Sequence, residues 1–381
     1  MTNTRNCRGT QESARSPEDM QKYTVLLFSG VPEKVDLPSI LQLFKGVDIL
    51  SAEKDSFSVH ISFFSYFDLF QQWTALGSEV VLEGTKVAVQ PIESPLSDKE
   101  REKLYIAHAA GGTRNVMLTS LDDFMTGDFI REEAEKYGAV ESLKHMRDRK
   151  LAYIEFFSFV AAMEFVVNIR EDSLFQNVKT CFGKDKCGTG ESDDTAAHNS
   201  RTVYFGNIPV DTTPAEILAV VQGGRVYTIK LIRDKKCAFV AFFNYVSAAA
   251  FIEYSQMFSV CIRGMQVKLG PGKIQQLPHI APVLAYKGAT RSILLRMEKS
   301  INEAKLEPEL SRYGEIDKIE RKEGDLVTVS YLSVQDSHTA YEALLNDPTI
   351  SHMLCGYAED PCAEVSAYGL MMEIQRKEFM V

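Results

Sequence analysis

Tyr204 and Phe239 sit in two short apolar runs, Val203-Tyr204-Phe205-Gly206-Asn207-Ile208-Pro209 and Lys235-Lys236-Cys237-Ala238-Phe239-Val240-Ala241-Phe242. If both runs are strands, period-two alternation sends Val203, Phe205, Ala238 and Val240 to a core and turns the two rings to the opposite face. Two exposed rings side by side can stack on unstacked bases. Lys230, Arg233, Lys235 and Lys236 flank them and supply charge for phosphates or a base edge, since the four acids of residues 201–274 cannot pair its nine Lys and Arg. Asn207 is open between a base-edge contact and a turn residue that satisfies its own backbone. Phe205 and Phe242 fall on the core side.

The elements that must hold those rings follow from their surroundings. Asp211-Thr212-Thr213-Pro214 is a helix start with a capping residue and an early proline. The same plan recurs along the chain. Gly111-Gly112-Thr113-Arg114 returns as Gly288-Ala289-Thr290-Arg291, with an echo in Ser200-Arg201-Thr202-Val203. Each opens an apolar strand, followed by a helical pattern, a second strand and an aromatic strand such as His60-Ile61-Ser62-Phe63-Phe64, Tyr153-Ile154-Glu155-Phe156-Phe157 or Thr328-Val329-Ser330-Tyr331-Leu332. The predicted fold is α+β, four tandem ferredoxin-like β-α-β-β-α-β units.

Polar stretches set the expected boundaries: a disordered N-terminus over 1–21, units over 22–93, 113–187, 201–274 and 290–381, a helical linker over 94–112 and an acidic linker over 188–200. Residues 275–289 form an apolar arm, expected to dock on the fourth unit or to be a plain linker. Over the fourth unit's sheet, with Leu294, Leu326 and Thr328 exposed, either this arm or the tail with Phe379 and Met380 is expected to lie.

Charge separates the units. The 381-residue chain carries a net charge of −10, which at first sight argues against a nucleic-acid partner. Its distribution argues the other way, because residues 201–274 hold nine Lys and Arg against four Asp and Glu, whereas residues 290–381 hold ten against seventeen. The ring positions vary in the same sense. The first unit has Leu27 and His60 there, the second Met117 and Tyr153 with Arg147, Arg149 and Lys150 just before the strand, and the fourth Leu294 and Thr328. Tyr153, Arg149 and Lys150 make the second unit a secondary site, and the fourth has no stacking platform.

From about Gly111 to Lys377 the sequence resembles the fungal proteins with four RNA-recognition motifs called negative regulator of differentiation. The resemblance rests on Gly-Thr-Arg-Asn-Val, Arg-Thr-Val-Tyr-Phe-Gly-Asn-Ile-Pro, the Lys-Lys-Cys-Ala-Phe-Val-Ala-Phe octamer and the recurrent Gly-Ala-Thr-Arg. It implies four RNA-recognition motif domains, and a cytoplasmic single-stranded RNA-binding protein that controls the stability or translation of particular messages. Nuclear presence stays open. Tyr204 and Asn207 match the family's hexamer, and Lys235, Phe239 and Phe242 its octamer, while Cys237 replaces a third aromatic.

The other function classes are weaker. No nucleophile elbow, phosphate-binding loop or dinucleotide fingerprint is present, so neither catalysis nor a cofactor is expected. The seven cysteines are scattered without zinc spacing, which points to free thiols and no metal. No apolar run is long enough for a membrane span. The alternative is a protein-interaction scaffold in which the acidic first and fourth units bind protein partners.

Overall fold

The computed structural model describes residues 21–188, 200–297, 306–348 and 350–378. The expected disordered N-terminus, the acidic linker and the Phe379-Met380 tail therefore lie outside the described residues or nearly so. The four predicted ferredoxin-like units are present. The first runs β1 (Tyr23–Ser29), α1 (Leu37–Leu41), β2 (Ile49–Lys54), β3 (Ser58–Phe63), α2 (Tyr66–Leu76), β4 (Glu79–Leu82) and β5 (Thr85–Glu93), with strand order β2-β3-β1-β5-β4. Its linker helix, α3 (Asp98–Ala109), starts at a capping box between Ser97 and Glu100.

The second unit is β6 (Asn115–Thr119), α4 (Gly127–Glu135), β7 (Val140–Met146), β8 (Leu151–Phe156), α5 (Phe159–Ile169) and β9 (Lys179–Phe182), ordered β7-β8-β6-β9. The third has β10 (Thr202–Gly206), α6 (Pro214–Leu218), β11 (Val226–Ile232), β12 (Cys237–Phe242), α7 (Tyr245–Met257), a hairpin of β13 (Cys261–Ile262) and β14 (Met265–Gln266), then β15 (Lys268–Pro271), ordered β11-β12-β10-β15. The arm folds as α8 (Ala281–Tyr286). The fourth unit is β16 (Ser292–Arg296), α9 (Glu307–Leu310), β17 (Ile316–Arg321), β18 (Leu326–Tyr331), α10 (Val334–Leu345) and β19 (Leu354–Tyr357), ordered β17-β18-β16-β19, with α11 (Ala367–Glu378) after it.

The recurrent Gly-x-Thr-Arg motif explains how the units join. Arg114 is fully buried and donates twice to the Asp185 carboxylate at 2.8 Å, and once to the Phe156 carbonyl at 3.3 Å. Thr113 donates to the Gly183 carbonyl at 2.7 Å. Asp185 in turn accepts from the Cys187 amide, and Cys187 enters the core of the first unit: its carbonyl accepts from Gly46 and Val47, and its thiol points at the Leu41 carbonyl at 3.8 Å. The second half of the chain repeats this arrangement. Thr290 donates to Ala358 at 2.7 Å, Arg291 lies 3.7 Å from Asp360, Asp360 accepts from Cys362, and Cys362 points at the Leu218 carbonyl at 3.5 Å inside the third unit's core.

Edge strands are joined in the same paired way. The Ala52 amide of β2 donates to the Phe157 carbonyl at 2.9 Å, and the Ile229 amide of β11 donates to the Leu332 carbonyl at 2.9 Å. The chain is thus two copies of a two-unit module, the first with the second and the third with the fourth. In both copies the exit from the last strand is stitched onto the preceding unit.

The helix that leads into each motif is equivalent as well. Both α3 and α8 end in a left-handed glycine, Gly111 at φ 107° and Gly288 at φ 74°, with closing bonds from Gly112 to Ala107 and from Ala289 to Leu284. These two helices pack on each other. All six residues of α8 are buried, and Lys103 sits 4.1 Å above the Tyr286 ring, whose hydroxyl donates to Glu164. The arm does not dock on the fourth unit as its main seat. Its main seat is α3, with lesser and equal contacts to α5 and to α10 of the fourth unit, because a helix apolar all round needs cover on every side.

On the face of the fourth sheet one of the two expected covers, the Phe379-Met380 tail, lies outside the described residues. Thr328 is buried and Leu294 and Leu326 are half-buried, but the chain beyond β19 leads away to the third unit, where α11 packs on α7. Leu370 completes the third unit's core, and Lys377 sits 4.2 Å above the Phe258 ring.

Two outcomes follow for stability. A fragment of residues 200–274 lacks Cys362 and Leu370 and is expected to melt well below a 200–378 fragment, with Leu370→Ala alone costing about 2–5 kcal/mol. Arg114→Ala is expected to cost about 3–5 kcal/mol in denaturant unfolding, since it leaves Asp185 buried without its partner.

Candidate nucleic-acid interface

Cross-strand register assembles the third unit's outer face. Tyr204 pairs with Phe239, Phe239 with Lys230 and Tyr204 with Gly270, so one row across the four strands reads Lys230, Phe239, Tyr204, Gly270. The two rings are half-buried, with centroids 5.5 Å apart and planes inclined at 53°. Val203, Phe205, Val240 and Phe242 point the other way and are fully buried. The Tyr204 ring lies along its strand over Gly206, where an added Cβ would come within 2.7 Å of the hydroxyl. A larger residue at 206 would have to push that ring aside.

The next row reads Ile232, Cys237, Gly206, Lys268. Cys237, at the position of the missing third aromatic, is buried. A single helical turn over Arg233–Lys235 followed by Lys236 at φ 46° forms the loop that presents the cations. Lys230, Lys235 and Lys236 are exposed and meet no carboxylate among the described residues, whereas Arg233 donates to the Thr212 carbonyl at 3.4 Å. Asn207 has φ 59° and its amide donates to the Gln266 carbonyl at 3.3 Å, so it serves the turn and ties it to the hairpin before β15.

The second unit repeats this frame with one ring. Its row is Lys144, Tyr153, Met117, Cys181, and the row beyond is Met146, Leu151, Thr119, Lys179. The turn Arg147–Arg149 with Lys150 at φ 51° copies the third unit's loop. Arg149 is exposed, and Lys150 pairs with Asp123 at 3.3 Å. An open cleft of about 240 Å³ lies between this loop and Asp122, Asp123 and Met125. Below Tyr153, Glu155 and Asn115 are bonded to each other and buried under the exit of β9. There an added Cβ on Gly183 would come within 2.3 Å of Asn115.

The remaining faces have neither Tyr nor Phe in the corresponding row. The first reads Glu53, His60, Leu27, Gln90, with His60 at 3.8 Å from Asp55. In the fourth it is Glu320, Thr328, Leu294, Gly356, with Glu320 held by Lys318 at 3.1 Å and Lys322 at 2.8 Å. Lys144, Lys179 and Lys268 are not found from sequence, because a strand lysine reveals its face only once its register is known.

No protein-family model matches the chain. It is similar to fungal RNA-binding proteins. RNA-binding protein MRN1 of Saccharomyces cerevisiae is 23% identical over 319 residues, covering 67% of this chain and 52% of that protein. The meiotically up-regulated gene 24 protein of Schizosaccharomyces pombe is 25% identical over 278 residues, covering 66% of this chain and 42% of that one. The chain spans about half the length of these relatives. Among solved structures, the three N-terminal RNA-binding domains of the yeast splicing factor Prp24 align over 66% of this chain and all of theirs at 15% identity, with a TM-score of 0.23. Among the described residues no cluster of side chains could hold a metal ion, and no helix is long and apolar enough to cross a membrane.

Below the second face, burial pushes the Glu155 carboxyl up to about 7, with Asp185 adding to the rise and Asn115 and Arg114 opposing it. His108, stacked 4.1 Å from Phe64, would be lowered by burial, but its bond to Asp48 prevails and raises it. Both groups contribute stability that is complete below their unfolded pKa values and is lost as pH rises through the folded ones. The melting temperature of the intact chain should therefore fall from pH 5 to pH 8, and Glu155→Gln should flatten the fall. A slope unchanged in that variant would remove Glu155 as its source.

Proposed function

We propose that the protein binds single-stranded RNA through the third unit's sheet, with the second unit as an additional reader. The observation that carries this is the Tyr204 and Phe239 pair, half-exposed on the outer face and flanked by Lys230, Lys235 and Lys236. Stacking tolerates any base, so the rings supply affinity and the lysines hold the phosphates. The similarity to the RNA-binding protein MRN1 supports this reading, as does the resemblance to the four-motif regulators of differentiation. On that basis the natural ligand is messenger RNA, the place of action the cytoplasm, and the outcome control of message stability or translation.

A scaffold role for the first unit is the second reading. It is favoured by Phe67, 71% exposed, beside Phe70 on the outer side of α2. Protein partners would then use helices and leave the ring faces to RNA.

Stacking and charge separate experimentally. Tyr204→Ala or Phe239→Ala should each cost ~1–3 kcal/mol of affinity for an oligouridylate and leave its salt dependence nearly unchanged. The double change of Lys235 and Lys236 to Ala should instead reduce the slope of log affinity against log salt by ~0.7 per lost phosphate contact. Intact affinity in both ring variants would sink the reading.

A further inference from the structure

The two reader sheets carry lysine at the same two positions, and the other two sheets do not. On the second strand, directly across from the aromatic position of the third, stand Lys144 opposite Tyr153 and Lys230 opposite Phe239. At the equivalent place the first unit has Glu53 opposite His60 and the fourth Glu320 opposite Thr328. On the fourth strand, one row further, Lys179 lies opposite Thr119 and Lys268 opposite Gly206, where the first unit has Ala88 opposite Ser29. All four lysines are exposed and meet no carboxylate among the described residues.

Alternation puts each of them on the ring face. The two lysines of a sheet are three strand spacings and one row apart, roughly 16 Å, so they reach different phosphates of one strand laid across the rings. We propose that Lys144 with Lys179, and Lys230 with Lys268, bracket the stacking row of each reader and grip the RNA on both sides of the stacked bases. Glu53, occupying the second-strand position, keeps RNA off the first sheet. On the fourth sheet Glu320 stands at that position and holds Lys318 and Lys322, so those two cations are not offered to phosphate.

The inference rests on the RNA-binding reading, and its chemistry is narrower. A cation beside a ring neutralises the phosphate of the base that the ring stacks, and a carboxylate there meets that phosphate with like charge. Flat sheets without either would tolerate RNA weakly. The charge at one register position thus decides which faces read.

The test uses the intact chain and a 4-thiouridine-containing oligouridylate, with affinity measured over a range of salt and photo-crosslinks mapped to peptides. Lys230→Glu should weaken binding about tenfold at low salt and remove crosslinks from the Phe239 strand. Lys144→Glu and Lys179→Glu should remove those of the Tyr153 strand and leave Phe239 crosslinked. Lys230→Gln should lower the salt slope by ~0.7 with a smaller loss, which separates a lost phosphate contact from repulsion. Glu53→Lys should bring new crosslinks to the His60 strand. If Tyr204→Ala weakens binding while the lysine reversals leave affinity and crosslinks as in the parent chain, this inference falls and the RNA-binding reading stands. Should Glu53→Lys give no crosslink at His60, the exclusion of RNA by that carboxylate is wrong. A parent chain that captures no oligouridylate at all overturns the RNA-binding reading itself.

Discussion

The buried pairing of Arg114 with Asp185, repeated in looser form by Arg291 and Asp360, is the constraint on which the arrangement of units depends. A guanidinium with no exposed surface is costly to desolvate, and it is tolerable because both of its forked donors meet one carboxylate in good geometry. That carboxylate also fixes the backbone that carries Cys187 into the first unit. One side chain therefore sets the exit of the last strand, its passage under Tyr153 and the seat of the neighbouring unit. Small tandem domains of this kind have modest cores, and sharing core residues across the stitch gives each pair a larger one than either unit would have alone.

What is legible in the sequence, and what is not, follows from the range of the interactions. Tyr204 and Phe239 can be read because strand alternation is local, and their inward neighbours Val203, Phe205 and Val240 announce the register. The Gly-x-Thr-Arg repeat is visible as a repeat, but its meaning lies in contacts to Asp185 and Asp360, about 70 residues further on. No local pattern in Asp-Lys-Cys or Asp-Pro-Cys marks them. The arm is recognisable as apolar, yet its partner α3 lies far off in sequence, and nothing in Ala-Pro-Val-Leu-Ala-Tyr names it.

Among the candidate binding residues the same division holds. Lys235 and Lys236 sit next to the ring strand and are found by adjacency, whereas Lys144 and Lys268 require the pairing of separate strands. Asn207 illustrates a residue whose two readings the sequence leaves level. Its positive φ and its bond to Gln266 place it in the turn with its side chain exposed, and the octamer cysteine, Cys237, is buried.

The backbone pairing of β2 with Phe157 and of β11 with Leu332 has a consequence for how the chain behaves in a crowded solution. An open sheet presents a row of unmet amides and carbonyls that invites another strand, and a chain with four open sheets offers many such rows. Here the second strand of the first and third units is occupied along part of its length by the adjacent unit, at Ser51 with Ser158 and Thr228 with Ser333. The contact that joins the units is therefore also a guard against self-association. Loosening it would expose strand edges in the same event that frees the units, and would turn a conformational change into a tendency to aggregate.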